Sequence, residues 1–418
     1  SSAASDVYKR QGSDEAVVEV ETTEAPATTE APTTTAAPAP ASDPLILASL
    51  MPLSGDLASL GPGIALGAAL AVEQINAAGG INGQPVQLIE GDSGCDGAVA
   101  LTSLNDVIAQ GAQGVMGAAC SSTSLAILDT AIAAEVVMIS PSNTSPQFTK
   151  IDKKGFYART APSDLLQGDV LASLLVEDGV QTVSIISRAD SYGRGLAEAT
   201  AAAFEAAGGT VKTIVYHATD ASEFTSEVTA VGKGGADAIV GILFPETGCG
   251  VLQPAFEQGL LDTPWYMTDG VKDAGLASLC GLGTALDGFK GTAPGSAAGE
   301  AKDAFEAAYA EVSADGSPTF IFAPQAYDAV MLMAISAAAN GVTGPEIASG
   351  LVAASSGGEK CIGVACIALA ADGVDVDYVG ASGEIELNAV GDPTAATYDI
   401  WTTEGDTNPV LKSVDFGS

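Results

Sequence analysis

Basic residues are scarce in this chain of 418 residues. It contains 15 Lys and Arg against 52 Asp and Glu, so the formal net charge is −37. After Arg10, the next basic residue is Lys150. A protein that binds nucleic acid or an anionic membrane surface needs a basic face to neutralise phosphate groups. The charge balance therefore argues against both kinds of partner.

Histidine and long apolar runs are also lacking. The single His217 stands in the strand-like run VKTIVYHATD, and we interpret it as a surface strand residue rather than a general base. His-bearing metal clusters are excluded, and any Ser-His-Asp or Cys-His arrangement would depend on this one residue. We therefore expect no catalytic site, no metal site and no cofactor. The longest uncharged stretches, 57–72 and 107–128, are broken by Gly, Ser and Gln and do not predict a membrane span.

The N-terminal part has the composition of a spacer. Residues 13–44 are rich in Thr, Pro, Ala and Glu and show no apolar periodicity. Residues 1–12 do not begin with Met, and we leave them out of the fold argument as a fragment end. We expect 1–44 to form a disordered tail and stalk that holds a secreted, extracytoplasmic domain at the cell surface. On this reading the signal peptide has been removed and a lipid anchors the stalk, whereas a tail without function is the simpler alternative.

From Leu45 onward, short apolar runs alternate with Ala-rich segments of helical period. Eight strand-like runs lie between 45 and 268, and ten helical segments lie between 63 and 354. Such regular alternation predicts parallel sheets with helices on both faces. The units 45–140 and 182–268 are separated by a polar segment, so we expect two α/β lobes. Aromatic residues make up only 5% of the chain, and the core must therefore consist mainly of Ala, Val, Leu and Ile.

The six cysteines favour disulfides over a metal site, because their spacing contains no Cys-x-x-Cys pattern. Cys95 follows the second predicted strand and Cys120 the third, which places both at the carboxyl ends of neighbouring strands. A bridge there would close a loop of about 25 residues and contribute about 3 kcal/mol. Six cysteines allow 15 pairings. For the remaining four we predict the pairs Cys249 with Cys280 and Cys361 with Cys366.

Two kinds of ligand site can be read from the loops. A G-x-G-x-x-x-G sequence begins at Gly61, but about ten residues separate it from the preceding strand, whereas a dinucleotide loop follows its strand tightly. Hydroxyl-rich loops follow the third and fourth strands, at 120–123 and 140–146. Ligands bind at the carboxyl ends of the strands in open α/β sheets. We therefore expect the ligand at these two loops.

Several stretches of the sequence match a known protein family in their order along the chain. They are NAAGGING at 76–83, GAACSSTS, MISPSNTSPQFT, FYARTAPSDLLQG, ADSYGRG, FPETG and TDGV. From about 45 to 405 the chain resembles the substrate-binding proteins of branched-chain amino-acid ABC transporters. The resemblance implies a type I periplasmic-binding-protein fold, with two doubly wound parallel-sheet lobes joined by three hinge crossings. It also implies a non-enzymatic, monomeric receptor that delivers a small-molecule ligand, a free amino acid, to a membrane permease.

The resemblance also implies roles for single residues. Ser121, Ser142 and Thr144 would hold the ligand's α-carboxylate in the first lobe, and Tyr192 and Asp269 would meet its α-ammonium in the second. The bridge from Cys95 to Cys120 matches the family. Asp269 stands where the family usually has Glu. The ligand site is also expected to include two positions where the family has a bulkier or more polar aromatic residue, Leu60 and Phe244.

The resemblance places hinges near 161–163, 291–293 and 379–381. The first lobe then combines 45–160 with 292–378, and the second combines 163–290 with 380–418. Small amides, urea and aromatic acids are alternative ligands, because the same fold serves their uptake. Two lobes of this kind could also form the ligand-sensing domain of a signalling system or the scaffold of an extracellular enzyme.

Overall fold

The computed structural model describes residues 43–416, so residues 1–42 of the tail predicted at 1–44 lie outside the described residues. The strands are β1 (Ile46–Met51), β2 (Gln87–Asp92), β3 (Gly114–Gly117), β4 (Val137–Ser140), β5 (Tyr157–Arg159), β6 (Thr182–Arg188), β7 (Thr210–His217), β8 (Ala238–Ile242), β9 (Trp265–Met267), β10 (Lys290–Pro294), β11 (Glu359–Ile362), β12 (Val376–Gly380), β13 (Gly383–Glu384), β14 (Ala396–Thr402) and β15 (Val410–Phe416). The α-helices are α1 (Gly61–Ala77), α2 (Gly97–Ala109), α3 (Ser121–Ala133), α4 (Gln147–Lys150), α5 (Asp164–Glu177), α6 (Ser191–Ala206), α7 (Thr225–Gly232), α8 (Pro245–Glu257), α9 (Leu276–Leu279), α10 (Glu300–Val312), α11 (Ala323–Asn340), α12 (Gly344–Ala354) and α13 (Val364–Ala371).

Two large sheets organise these elements into two lobes, as predicted. The first lobe is built on a five-stranded, all-parallel sheet in the order β2-β1-β3-β4-β5 and carries a small sheet, β11-β12-β13. The second lobe is built on a seven-stranded sheet in the order β15-β14-β10-β9-β8-β6-β7. Its strands are parallel except at the pairs β10/β14 and β14/β15, which are antiparallel. The doubly wound α/β architecture is confirmed, with the antiparallel edge as an addition.

The chain passes between the two lobes three times. The first passage, at 160–163, coincides with the predicted one. The second predicted crossing, 291–293, falls inside β10, which pairs with β9 and β14 and so stays in the second lobe. The third, 379–381, falls at the end of β12 and its turn into β13. Sheet membership instead changes at 295–299 and between β13 and β14, because the strand pairings run a few residues further than the sequence indicated.

Close packing explains the glycines at the start of α1. A Cβ atom at Gly61 would lie 1.8 Å from the carbonyl oxygen of Pro52, and one at Gly67 would lie 2.2 Å from that of Ala323. The glycines therefore allow α1 to approach the preceding loop and the buried helix α11 closely. This packing accounts for the G-x-G-x-x-x-G sequence without a phosphate ligand.

Three disulfides join the pairs that the sequence predicts. Cys95 is bonded to Cys120, Cys249 to Cys280, and Cys361 to Cys366, with Cα atoms 5.5, 4.9 and 5.4 Å apart. The first bridge links the loops that follow β2 and β3. The expectation that these two strands are neighbours was wrong, because β1 lies between β2 and β3 in the sheet. The bridge therefore ties the beginning of α3 to the loop after the edge strand β2.

His217 is buried, so its interpretation as a surface strand residue was wrong. It ends β7, and the ring of Phe224 covers it edge to face with ring centroids 4.9 Å apart. Burial lowers the pKa of the imidazole, which makes it a neutral packing residue. The covering ring comes from the loop before α7, and the strand pattern alone did not reveal it.

Among the helices of residues 43–416, none combines the length and apolar character that a membrane span requires.

A buried carboxylate fixes the helix α11 to the end of the small sheet. Asp328 accepts hydrogen bonds from the hydroxyls of Tyr378 and Ser382, at 2.7 and 2.6 Å. It also accepts from the backbone N–H groups of Ala381 and Ser382, at 2.7 and 2.9 Å. Burial raises the pKa of this carboxyl despite these four donors.

We expect Asp328→Ala to lower the free energy of unfolding by about 3 kcal/mol, because it leaves buried donors without an acceptor. Urea unfolding followed by circular dichroism measures this loss. Asp169→Ala, on the exposed side of α5, is the control, with an expected change within about 0.5 kcal/mol. Equal changes in the two variants would contradict the account.

Candidate functional site

A small cavity lies between the two lobes at the carboxyl ends of their strands. Six of the seven predicted ligand-binding residues line it, namely Leu60, Ser121, Ser142, Tyr192, Phe244 and Asp269. They follow β1, β3, β4, β6, β8 and β9 in that order along the chain. Parallel strands bring their carboxyl ends to one edge of a sheet, which explains why residues so far apart in sequence meet here. Thr144 is fully buried but is not part of the cavity wall.

The first-lobe side of the cavity presents hydroxyl groups at the beginning of a helix. Ser121 is the first residue of α3, and its Oγ accepts a bond from the N–H of Ser145 at 3.4 Å, which leaves its own hydrogen free. The hydroxyl of Ser142 instead donates to the carbonyl of Ala119 at 3.1 Å. The hydroxyl of Thr144 has no hydrogen-bond partner among the described residues. The free N–H groups at the start of α3 add positive potential without a charged side chain.

The second-lobe side presents one buried acid. Asp269 is 3% exposed, and its Oδ1 accepts from the hydroxyl of Tyr192 at 2.9 Å and from Nε2 of Gln167 at 2.8 Å. Both donors are neutral. Burial raises the pKa of Asp269 to about 6, although the two hydrogen bonds favour the charged form. A positively charged ligand group would supply the cation that the protein itself does not place beside Asp269.

Two polar residues behind Asp269 were not predicted as site residues. Gln167 also donates to the carbonyl of Thr292 at 3.1 Å, so it fixes the acid against β10. Asp164 is completely buried beside Thr144, whose carbonyl accepts its N–H at 2.8 Å. Burial raises the pKa of Asp164 well above its ordinary value, and the charge of Asp269 adds to the effect. Both residues lie in the stretch FYARTAPSDLLQG, which carries part of the family resemblance without pointing to either of them.

Apolar side chains form the rest of the cavity wall. Besides the predicted Leu60 and Phe244, the wall contains Leu57, Ile64 and Phe322, which the sequence did not indicate. The ring of Phe244 stacks on that of Tyr192, with centroids 5.4 Å apart. These residues suit an aliphatic or small aromatic ligand group, because they offer no polar atoms to it.

Polar contacts across the cleft hold the lobes together. Asp56 of the first lobe pairs with Arg188 of the second at 2.8 Å. The neighbouring N–H of Leu57 donates to the carboxylate of Glu246 at 2.9 Å. The guanidinium of Arg188 also lies 3.9 Å from the ring centroid of Phe244, so the ion pair is coupled to the cavity wall. We call Asp56, Leu57, Arg188 and Glu246 the interlobe latch.

The cavity has a volume of about 20 Å³, enough for about one water molecule. A ligand larger than water therefore requires the lobes to separate. Within residues 43–416, no group of three or more His, Cys, Asp or Glu side chains is arranged to hold a metal ion. The site combines hydroxyls at a helix N-terminus, a buried acid and an apolar wall, which is an arrangement for binding.

Comparison with known sequences identifies the family. The family described as Periplasmic binding protein matches residues 44–360. An amino acid binding protein of Pseudomonas aeruginosa is 34% identical over 238 residues, which are 55% of this chain and 62% of that protein. The leucine-, isoleucine-, valine-, threonine- and alanine-binding protein of the same organism is 30% identical over 304 residues, 71% of this chain and 78% of that protein.

Solved structures share the fold. The branched-chain amino acid transporter substrate-binding protein of Streptococcus pneumoniae, in complex with isoleucine, has a TM-score of 0.74 at 22% identity and covers 90% of this chain and 100% of its own. A solute-binding protein of an R. palustris ABC transporter, in complex with 4-hydroxybenzoate, has a TM-score of 0.75 at 18% identity, with coverages of 90% and 98%. The sequence match extends over more than half of the chain and the fold agrees throughout these two lobes. The chain therefore belongs to the periplasmic binding protein family.

Proposed function

We propose that this protein is an extracytoplasmic solute-binding protein that closes on a free amino acid with an apolar side chain and delivers it to an ABC-transporter permease. One observation carries the proposal. The buried Asp269, with neutral donors only, faces an apolar cavity whose opposite side presents hydroxyls at a helix N-terminus. A zwitterion matches both ends of this arrangement.

The carboxylate of the ligand would lie at the first lobe. Ser121 has a free hydroxyl hydrogen and stands at the beginning of α3, where backbone N–H groups favour an anion. Ser142 would have to give up its bond to Ala119 in order to donate to the ligand. Thr144 would contribute its unpaired hydroxyl only after a small movement, because it stands behind the cavity wall. Among these hydroxyls, Ser121 is therefore the principal donor in the proposal.

The ammonium group would lie at the second lobe against Asp269. Charge-assisted hydrogen bonds are about twice as strong as neutral ones, and the low polarity of the cavity strengthens them further. The ammonium would also lower the raised pKa of the acid, because an opposite charge favours the ionised form. The side chain of the ligand would pack on Leu60, Phe244 and Phe322. Small amides, urea and aromatic acids carry no ammonium, so Asp269 disfavours them as ligands.

Opening and closing of the lobes would admit the ligand. The cavity of about 20 Å³ is too small for an amino acid, so the lobes would open to admit the ligand and then close on it less tightly than in this arrangement. We infer that the passages at 160–163, 295–299 and 393–395 act as hinges, because these are the segments in which the chain changes from one lobe to the other. A ligand that contacts both lobes stabilises the closed state by its differential contacts.

The remaining assignments follow from this role. The protein would be monomeric and non-enzymatic, since the cleft offers binding groups from both lobes of one chain. The protein would be secreted and held at the cell surface by a lipid anchor on its N-terminal stalk. The names of two relatives support the amino acid, since both are described as amino-acid-binding proteins. The Streptococcus pneumoniae structure, described as a transporter substrate-binding protein, supports the transporter.

The direct test compares leucine with 4-methylpentanoate, which is leucine without its amino group. We expect calorimetry to detect leucine binding, and we expect an excess of the acid to leave the leucine affinity unchanged, because the acid does not occupy the cleft. Asp269→Ala should weaken leucine binding by about 100-fold, because a buried charge-assisted bond is lost. Ser142→Ala is the matched control in the cavity wall, with a smaller loss. Displacement of leucine by 4-methylpentanoate at a similar concentration, or unchanged leucine affinity in Asp269→Ala, would contradict the proposal.

The interlobe latch provides a second test. Asp56→Ala removes the ion pair between the lobes while Arg188 keeps Asp190, at 2.9 Å, as a partner. We expect leucine affinity to fall by about 3-fold, because a partly exposed ion pair contributes at most about 1 kcal/mol. The control is Glu177→Ala, whose partner Lys412 lies in the same lobe. The same loss in both variants would show that the latch does not act on closure.

A further inference from the structure

A second cavity lies at the edge of the first lobe, away from the cleft. It has a volume of about 200 Å³ and is formed by the loop between α4 and β5, by the helix α12 and by residues 387–391. None of the residues that line the cleft cavity takes part in it. The proposed transport function therefore gives this second cavity no role.

The charges beneath this cavity do not balance. Arg159 forms a bidentate ion pair with Asp392, in which Nε lies 3.0 Å from Oδ1 and Nη2 lies 3.0 Å from Oδ2. Nζ of Lys153 lies 3.5 Å from the same Oδ1 and has no hydrogen-bond partner among the described residues. The side chains of Lys153 and Arg159 are 4% and 0% exposed. Two buried cations thus share one carboxylate, so one positive charge is in excess, and the other neighbour of the Lys153 ammonium is the ring of Tyr157, with its centroid 5.3 Å away.

A surplus cation at this place is exceptional in this chain. Lys150, Lys153, Lys154 and Arg159 stand within ten residues, although the chain has only 15 basic residues and a net charge of −37. Burial lowers the pKa of Lys153, which shows that the ammonium is poorly solvated there. An anion in the cavity would supply the missing partner, because buried charges are stable only when they are paired and hydrogen-bonded.

The walls of the cavity define the rest of the ligand. Leu351 and Val352 from α12 and Val390 from the opposite loop line it. Val352 and Val390 are 42% and 41% exposed, so they form an apolar border at the surface. A ligand that fits has one carboxylate and a short alkyl group.

We propose that this cavity is a binding site for a small aliphatic monocarboxylate, separate from the cleft between the lobes. The carboxylate pairs with the ammonium of Lys153 after a small movement of that side chain, because Nζ is covered in this arrangement. The alkyl group packs on Leu351, Val352 and Val390. Lys154 stands at the same cavity but is exposed and pairs with Asp152, so it contributes little.

The test follows methyl signals of the protein labelled at Leu and Val during a titration with isovalerate. Leu351, Val352 and Val390 report on this cavity, whereas Leu57 and Leu60 report on the cleft. We expect saturable shifts at the first three methyl groups, and none with isovaleramide, which has the same shape without the charge. Lys153→Met should weaken isovalerate binding at least tenfold, while the matched Lys154→Met should leave it unchanged.

The comparison of acid and amide in the unaltered protein keeps the test valid even if Lys153→Met folds poorly. Met leaves the balanced pair of Arg159 and Asp392 in place, and we expect the variant to fold. Three results would overturn the proposal: shifts confined to the cleft methyl groups, equal shifts with acid and amide, or full binding in a folded Lys153→Met variant.

Discussion

The carboxyl group of Asp269 is buried without a cation beside it, and the site is organised around this constraint. An ionised carboxylate in such a place is costly unless it is paired and hydrogen-bonded. Here the donors are the neutral Tyr192 and Gln167, and burial raises the pKa to about 6. The protein therefore provides a carboxylate at the cavity wall but no cation to pair with it. On the proposed function, the ammonium of an amino acid supplies that cation when the lobes close.

The scarcity of Lys and Arg limits the groups that the first lobe can offer to a carboxylate. The part of the first lobe before Lys150 contains no Lys or Arg, so it offers a carboxylate only hydroxyls and the N-terminus of α3. Such neutral donors bind an anion without attracting the many acidic side chains of the same chain. The basic residues that do occur near the cleft serve closure, as Arg188 does with Asp56. On the proposed function, the scarcity of bases thus separates the groups that would hold the ligand from those that hold the lobes together.

The alternating pattern before residue 268 was enough to predict the doubly wound lobes, because β1 to β4 and β6 to β9 are apolar runs between helices. The pattern did not predict the later strands, because β10 contains Gly and Pro, and because β14 and β15 pair antiparallel at an edge of the sheet. Loop residues such as Ser121 could be predicted from the strand ends and the family resemblance. Phe322 could not, because it reaches the cavity from the beginning of α11, and the latch joins residues more than 100 positions apart. Such pairs leave no local pattern.

The central claim is that Asp269 becomes ionised when it meets the ligand. Calorimetry of leucine binding at pH 6, in buffers of different ionisation enthalpy, counts the protons released. Because the pKa of about 6 leaves this carboxyl half protonated at that pH, we predict release of about half a proton per ligand, and almost none at pH 8. Asp269→Asn should release none. Binding at pH 6 without proton release in the unaltered protein would contradict the account.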